Sequence, residues 1–223
     1  MKIHTIISGI KKISLKTLYI NFKYLPLKQA ILLPIWISHK CYLLKVSGKI
    51  DIGGKITTGM IQIGYGEVGI FDRKRSRSVF ELEGKIIFKG RAFIGQGCKL
   101  SITNKGILEL GHNFVITAET AIVCHKGINI GNDCLISWDV LIMDTDIHKI
   151  MNNDNIVINP PKQIKIGDRV WIGCRSIVLK GVEISSGTII AANSTITKSQ
   201  TTSNTLVGGN PTQILRTDVT WSI

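Results

Sequence analysis

IKIGDRVWIGCRSIVLKGVEISSGTIIAANSTI, residues 164–196, repeats itself every six positions. Ile166, Ile172, Val178, Ile184, Ile190 and Ile196 form the unbroken series, and Gly167, Gly173, Ser185 and Ala191 directly follow four of its members. Upstream, the same spacing links Leu110, Ile116 and Ile122, and again Ile130, Ile136 and Ile142. A helix repeats near 3.6 residues and a flat strand at 2, so neither sustains this period. A chain that turns a corner after each short strand does. One aliphatic residue per segment then points inward, a small residue admits a close turn, and stacked coils bury a continuous core. The pattern predicts an all-β solenoid, a parallel β-helix.

The rest of the chain is organised around those coils. Residues 1–47 lack the hexad and, with Pro26 and Pro34 as breakers, predict a short, mostly helical cap. The β-helix is expected over 48–198 and a C-terminal tail over 199–223. Two interruptions stand out. Arg73–Arg77 places four cations within five positions, either a solvated loop or a contact for phosphate or acidic sugar. Residues 143–163 (MDTDIHKIMNNDNIVINPPKQ) lose the hexad and are rich in Asn and Pro, as an extruded loop is. Loops that break a rigid solenoid are where function sits. This one opens with Asp144, Asp146 and His148. A histidine with a carboxylate in reach is the usual general-base arrangement, although the same residues equally suit a solvated turn or a partial metal site.

At 223 residues, 44% of them hydrophobic, the chain is long enough for one well-buried domain. The formal net charge of +13 points to an anionic partner. Without alternating aromatic and basic residues, nucleic acid is not expected to be that partner. Cys41, Cys98, Cys124, Cys134 and Cys174 are odd in number and contain no CxxC pair, so reduced thiols are expected. His112, His125 and His148 lie too far apart for the zinc spacing of γ-class carbonic anhydrases, and no metal is expected. No signal peptide or spanning segment is legible, which predicts a cytoplasmic chain. The basic, apolar N-terminus reads first as a cap on the solenoid end and second as a peripheral contact with the inner membrane face.

The hexads, together with LISWDVLIMDTDIH, IKIGDRVWIGCRSIVLKGVEI, GTIIAANSTITK and the closing VGGNPTQIL, resemble the hexapeptide-repeat acyltransferases. The likeness is greatest to the branch that O-acetylates sugars of bacterial surface polysaccharides, and it covers about residues 85–216. It implies a left-handed β-helix, a homotrimer, and acetyl-CoA in the groove between subunits. It implies His148 as the catalytic base, with Asp146 the nearest carboxylate and Asp144 and Asp139 as alternatives. Trp171 would wall the groove, and Cys174 would offer a backbone N–H to the thioester oxygen. Ala192 and Thr197 would touch the pantetheine arm, and Gly208, Gly209, Asn210 and Pro211 would form the exit turn beside it. Lys198 and Arg216 would face the phosphates, since Gln213 stands where relatives often carry Arg. The expected reaction is acetyl transfer to a sugar or glycan hydroxyl in capsule, O-antigen or exopolysaccharide synthesis. The alternatives are transfer to a small molecule (amino sugar, serine or antibiotic) and a non-catalytic β-helix binding module.

Overall fold

The computed structural model describes residues 13–222. Its strands fall into sheets of nine, seven and six members, and consecutive strands pass from one sheet to the next. The first face includes Phe114–Ala118, Leu135–Ile136, Trp171–Ile172, Ile189–Ile190 and Leu206–Gly209. The second includes Ala121–Cys124, Leu141–Met143, Ile177–Leu179 and Thr195–Ile196, and the third Ile128–Ile130, Ile164–Ile166 and Glu183–Ile184. All neighbours are parallel except the last pair, in which Thr212–Arg216 turns back against Leu206–Gly209. This is a left-handed parallel β-helix of triangular section.

The hexad residues are the register. Ile116, Ile136, Ile172, Ile190 and Val207 stack on the first face. Ile122, Ile142, Val178 and Ile196 stack on the second, and Leu110, Ile130, Ile166 and Ile184 on the third. None of them is more than 3% exposed. The small residue after each aliphatic serves close approach between coils: a Cβ at Gly173 would lie 2.6 Å from the Ala192 nitrogen and 2.7 Å from the Ile190 oxygen. The left-handed turn itself comes two residues later. Asn113, Glu119, Asp133, Asp139, Arg169, Arg175 and Asn193, each three places after a hexad residue, have φ between 47° and 59°. Asn and Asp tolerate that region and Arg tolerates it less, so the corner is imposed by the coils around it.

The boundaries differ from those expected. The β-helix begins at Ile35, not Gly48, because Ile35–Ile37 and Tyr42–Val46 already pair in parallel with Ile61–Tyr65 and Val79–Leu82. It also outlasts Lys198, since Leu206–Gly209 still joins the first face. The helical cap is correspondingly short, a helix over Leu15–Tyr24 and a turn over Leu27–Ala30, with residues 1–12 outside the described region. Ser14 caps that helix by accepting the Thr17 N–H. The helix turns polar residues inward, because it lies against the open edge of a strand. Asn21 donates to the Ile35 carbonyl at 2.6 Å and accepts the Ile35 N–H at 3.1 Å, while the Thr17 hydroxyl accepts the Ile37 N–H at 2.9 Å.

Two excursions leave the coils. Residues 66–78 leave between the first and second faces, and 144–163 between the second and third. Truncating a central column residue tests the packing: Ile172→Ala is expected to lower stability by about 2–5 kcal/mol in urea unfolding. A loss well under ~1 kcal/mol would show that the column is not tightly packed.

Candidate active site

The excursion from residue 144 starts from a buried anchor. Asp144 is fully buried, and its carboxylate accepts the backbone N–H groups of His125, Lys126 and Gly127 at 2.7 Å each. It therefore holds the neighbouring coil's turn. Asp139 is removed too, lying at the corner between the first and second faces, 4.0 Å from the Arg175 guanidinium.

Beyond Asp144 the chain makes a one-residue turn. The His148 N–H donates to the Asp146 carbonyl at 2.6 Å across Ile147, which sits at φ 65°. For a β-branched residue this is a strained conformation, costing on the order of 1–3 kcal/mol. Asn159 holds it from the other arm of the loop. Its amide nitrogen donates to the Asp146 carboxylate (2.8 Å) and the His148 carbonyl (2.9 Å), and its amide oxygen accepts the Ile150 N–H (2.6 Å). Lys180, on the adjacent coil, ties the assembly to the scaffold. Its ammonium bonds the Asp146 carboxylate and the Asn159 carbonyl. The expected Asp146–His148 pair is thus replaced by an Asp146–Lys180 pair, and His148 is fixed through its backbone with its side chain exposed.

That ion pair sets the charge state of Asp146. The Lys180 ammonium first, and then the Asn159 amide, hold its carboxyl below the usual carboxylate range. A depressed pKa stabilises the fold above the unfolded value, ~3.9, and that contribution is lost as pH falls through the folded value. The pin is therefore complete at neutral pH and opens only in acid.

The other expected residues divide between two corners. Asp144, Lys180 and Lys198 occupy equivalent places on three successive coils, two residues after Ile142, Val178 and Ile196, so Lys198 and Thr197 share the corner of the His148 loop. Cys174 and Ala192 lie at the opposite end of the second face, where the Asn193 N–H donates to the Cys174 carbonyl at 2.8 Å. Gly209 is drawn to that corner by Ser194, whose hydroxyl accepts its N–H at 3.1 Å and donates to the Ala191 carbonyl at 2.8 Å. Asn210 and Pro211 form the exposed turn that follows, and Arg216 lies exposed on the returning strand opposite Leu206. Trp171 is on the first face, 36% exposed, its indole N–H donating to the Ser137 hydroxyl at 3.1 Å. The tail crosses back over it: Trp221 lies 6.1 Å from Trp171, centroid to centroid, and donates to the Arg169 carbonyl at 2.8 Å. No local pattern points to a role for Asn159, Lys180, Ser194 or Trp221. Lys180 and Asp146 are 34 residues apart, and Trp221 follows the last repeat.

Thr197 and Lys198 at one end, and Cys174, Ala192 and Gly209 at the other, thus bracket the second face, while Trp171 and Arg216 lie on the first. Concavities of about 610 and 480 Å³ lie elsewhere, on the N-terminal half of the first face, around Arg91 and Asn113 and around Tyr65 and Arg73. Among the described residues no three His, Cys, Asp or Glu side chains gather as a metal site. Burial pushes the thiols of Cys41, Cys98, Cys124 and Cys134 up to about 12, which keeps them protonated and poor nucleophiles.

The comparisons agree with this architecture. The family model described as bacterial transferase hexapeptide (six repeats) matches residues 163–198. It is 27% identical over 143 residues to a protein of Escherichia coli (strain K12) provisionally named the lipopolysaccharide biosynthesis O-acetyl transferase WbbJ, a match covering 60% of this chain and 72% of that one. Against the galactoside O-acetyltransferase of the same strain it is 30% identical over 112 residues, 49% of this chain and about half (53%) of that protein's length. The solved structure of the polySia-specific acetyltransferase NeuO shares the fold, with a TM-score of 0.50 at 21% identity over 84% of this chain and 89% of that one.

Two substitutions separate anchor from pin. Asp144→Ala leaves three N–H groups without an acceptor, of which that of Gly127 is buried and costs about 1–3 kcal/mol, and is expected to destabilise the whole chain. Lys180→Ala is expected to leave global unfolding nearly unchanged while speeding limited proteolysis within residues 146–160 by about tenfold, or ~1.4 kcal/mol. That is the low end for a charged hydrogen bond, because Asp146 is partly open to water. Unchanged proteolysis would show that the loop is held by other contacts.

Proposed function

We propose that this chain transfers the acetyl group of acetyl-CoA to a hydroxyl of a sugar in a bacterial surface polysaccharide, with His148 as general base. The observation that carries the reading is His148 itself, exposed on a strained, pinned turn that leaves a hexapeptide scaffold. The relatives of that scaffold are named as sugar and polysaccharide O-acetyltransferases. The reaction is assigned to the cytoplasm, where acetyl-CoA is made.

The chemistry follows from what an alcohol lacks. It is a poor nucleophile at neutral pH, so the His148 imidazole takes the hydroxyl proton as the oxygen forms its bond to the thioester carbonyl carbon. Such a base contributes about 10²–10⁴-fold. The oxyanion so formed needs a fixed donor, and the backbone N–H of Cys174 is assigned that role; losing one such donor costs roughly 10²–10³ in rate. The carbon–sulfur bond then breaks, CoA leaves as thiolate, and the proton on His148 returns to it. No covalent enzyme intermediate is required, in keeping with four cysteines held protonated by burial. Asp146 acts in this scheme as a positioning residue through Lys180 and Asn159. Trp171, Ala192, Thr197 and the Gly209–Pro211 turn line the pantetheine path, with Lys198 and Arg216 at the phosphates.

His148 and Trp171 lie on different sides of one prism, which supports a site completed by a neighbouring chain in a homotrimer. Light scattering should then give three times the 24.6 kDa chain mass. A single-chain mass would exclude that arrangement. The match to a galactoside O-acetyltransferase favours a small sugar as the second reading of the acceptor, and assays with free glycosides and purified polysaccharide distinguish the two. His148→Ala should cut kcat by about 10²–10⁴-fold with unchanged folding and acetyl-CoA binding. Asp146→Asn should be milder. A His148→Ala enzyme keeping more than about a tenth of wild-type kcat would rule out the general-base role.

A further inference from the structure

The helix Leu15–Tyr24 carries an apolar stripe that folding does not use. Its inward face is the polar one, Thr17 and Asn21 with Ile20 between them, because it satisfies the edge strand Ile35–Ile37. On the opposite side Leu15, Leu18, Tyr19 and Phe22 recur at i, i+3, i+4 and i+7, the spacing of one helical face. They are 84%, 39%, 49% and 51% exposed, and Leu27 and Ile31 in the next turn are 68% and 62% exposed.

At ~100° per residue, Lys16 and Lys23 fall on one flank of this stripe. Lys16 leads into a basin of about 270 Å³ lined also by His39, Lys40, Lys74, Arg75, Ser76 and Arg77. Its ammonium reaches across to the His39 carbonyl at 2.7 Å and the Cys41 carbonyl at 2.6 Å, joining helix and basin. Three carboxylates lie nearby against the basin's five Lys and Arg side chains: Asp72, 3.8 Å from Arg75, Glu67, 3.3 Å from Arg73, and Glu119, which accepts the Ser76 hydroxyl and pairs with Lys99. An apolar helical face beside a cluster of cations matches the boundary between acyl chains and anionic headgroups. A second copy of the chain is a poorer match, because it would bring another cationic surface from a protein of net charge +13. Among the described residues no helix is long and apolar enough to cross a membrane, so this one would lie on the surface.

We propose that the N-terminal end of the solenoid docks on an anionic lipid bilayer, with Leu15, Leu18, Tyr19 and Phe22 in the interface and the Lys16–Arg77 basin against the headgroups. This assignment is independent of the acetyl-transfer reading, since it invokes none of that site's residues.

The test is flotation of the full chain with phosphatidylcholine vesicles made with and without phosphatidylglycerol. Wild type is expected to float with the anionic vesicles at least ~10-fold more strongly than with neutral ones, and to lose that advantage as salt rises. Leu15→Glu with Phe22→Glu should abolish binding, with circular dichroism and oligomeric mass unchanged. Lys74→Glu with Arg75→Glu, in a loop where Arg75 is 91% exposed and folding is not at stake, should weaken binding to the anionic vesicles alone. Failure of wild type to float, or full binding by both double variants, would overturn the proposal. So would a loss of oligomeric mass in the Leu15/Phe22 variant, which would place this face between copies of the chain.

Discussion

Everything in this molecule depends on one constraint: an aliphatic side chain must arrive at the axis every six residues, each directly above its counterpart one full coil earlier. The columns through Ile116–Val207, Ile122–Ile196 and Leu110–Ile184 are at once the core and the register. In most sheets a slip of one residue exposes half the side chains; here it would also misplace every corner. Contacts run mainly to the coils above and below, so the repeats supply stiffness and little else. Chemistry is left to whatever leaves the coils.

The loop carrying His148 shows how such a departure is kept exact without a core of its own. Ile147 is held in a backbone conformation it would not choose, and the restraint comes from three side chains on different segments. Asp144 anchors the loop's root below, Asn159 bridges its two arms, and Lys180 binds it to the next coil. The carboxylate nearest in sequence to the histidine is spent on that restraint. Under the proposed function, the imidazole's precision would come from a fixed backbone and not from an acid partner beneath the ring.

What could be read in advance follows from the range of each interaction. The hexads, the break at residue 143 and His148 are local patterns, and the solenoid and its loop were legible from them. The start of the β-helix was not. Between Ile37 and Leu43 the spacing holds once, then fails at Lys49, and one step does not make a period. The Asp144 anchor, 17 to 19 residues from the N–H groups it accepts, could not be told from a catalytic acid by spacing alone. The Lys180–Asp146 pair joins two coils, and only the register on the second face reveals it. Trp221 reaches Trp171 from a tail that carries no repeat.

The polar inner face of the N-terminal helix has a further consequence. A stack of parallel coils is an open-ended structure, and its first strand offers unused N–H and C=O groups to any strand that arrives. Thr17 and Asn21 occupy those groups on Ile35 and Ile37, so the first face has no vacancy at that end. At the other end Thr212–Arg216 runs against the direction of the sheet, and an incoming parallel strand would meet the wrong polarity. That face is thus closed twice, by side chains at its beginning and by reversal at its end, and offers no edge to a further parallel strand.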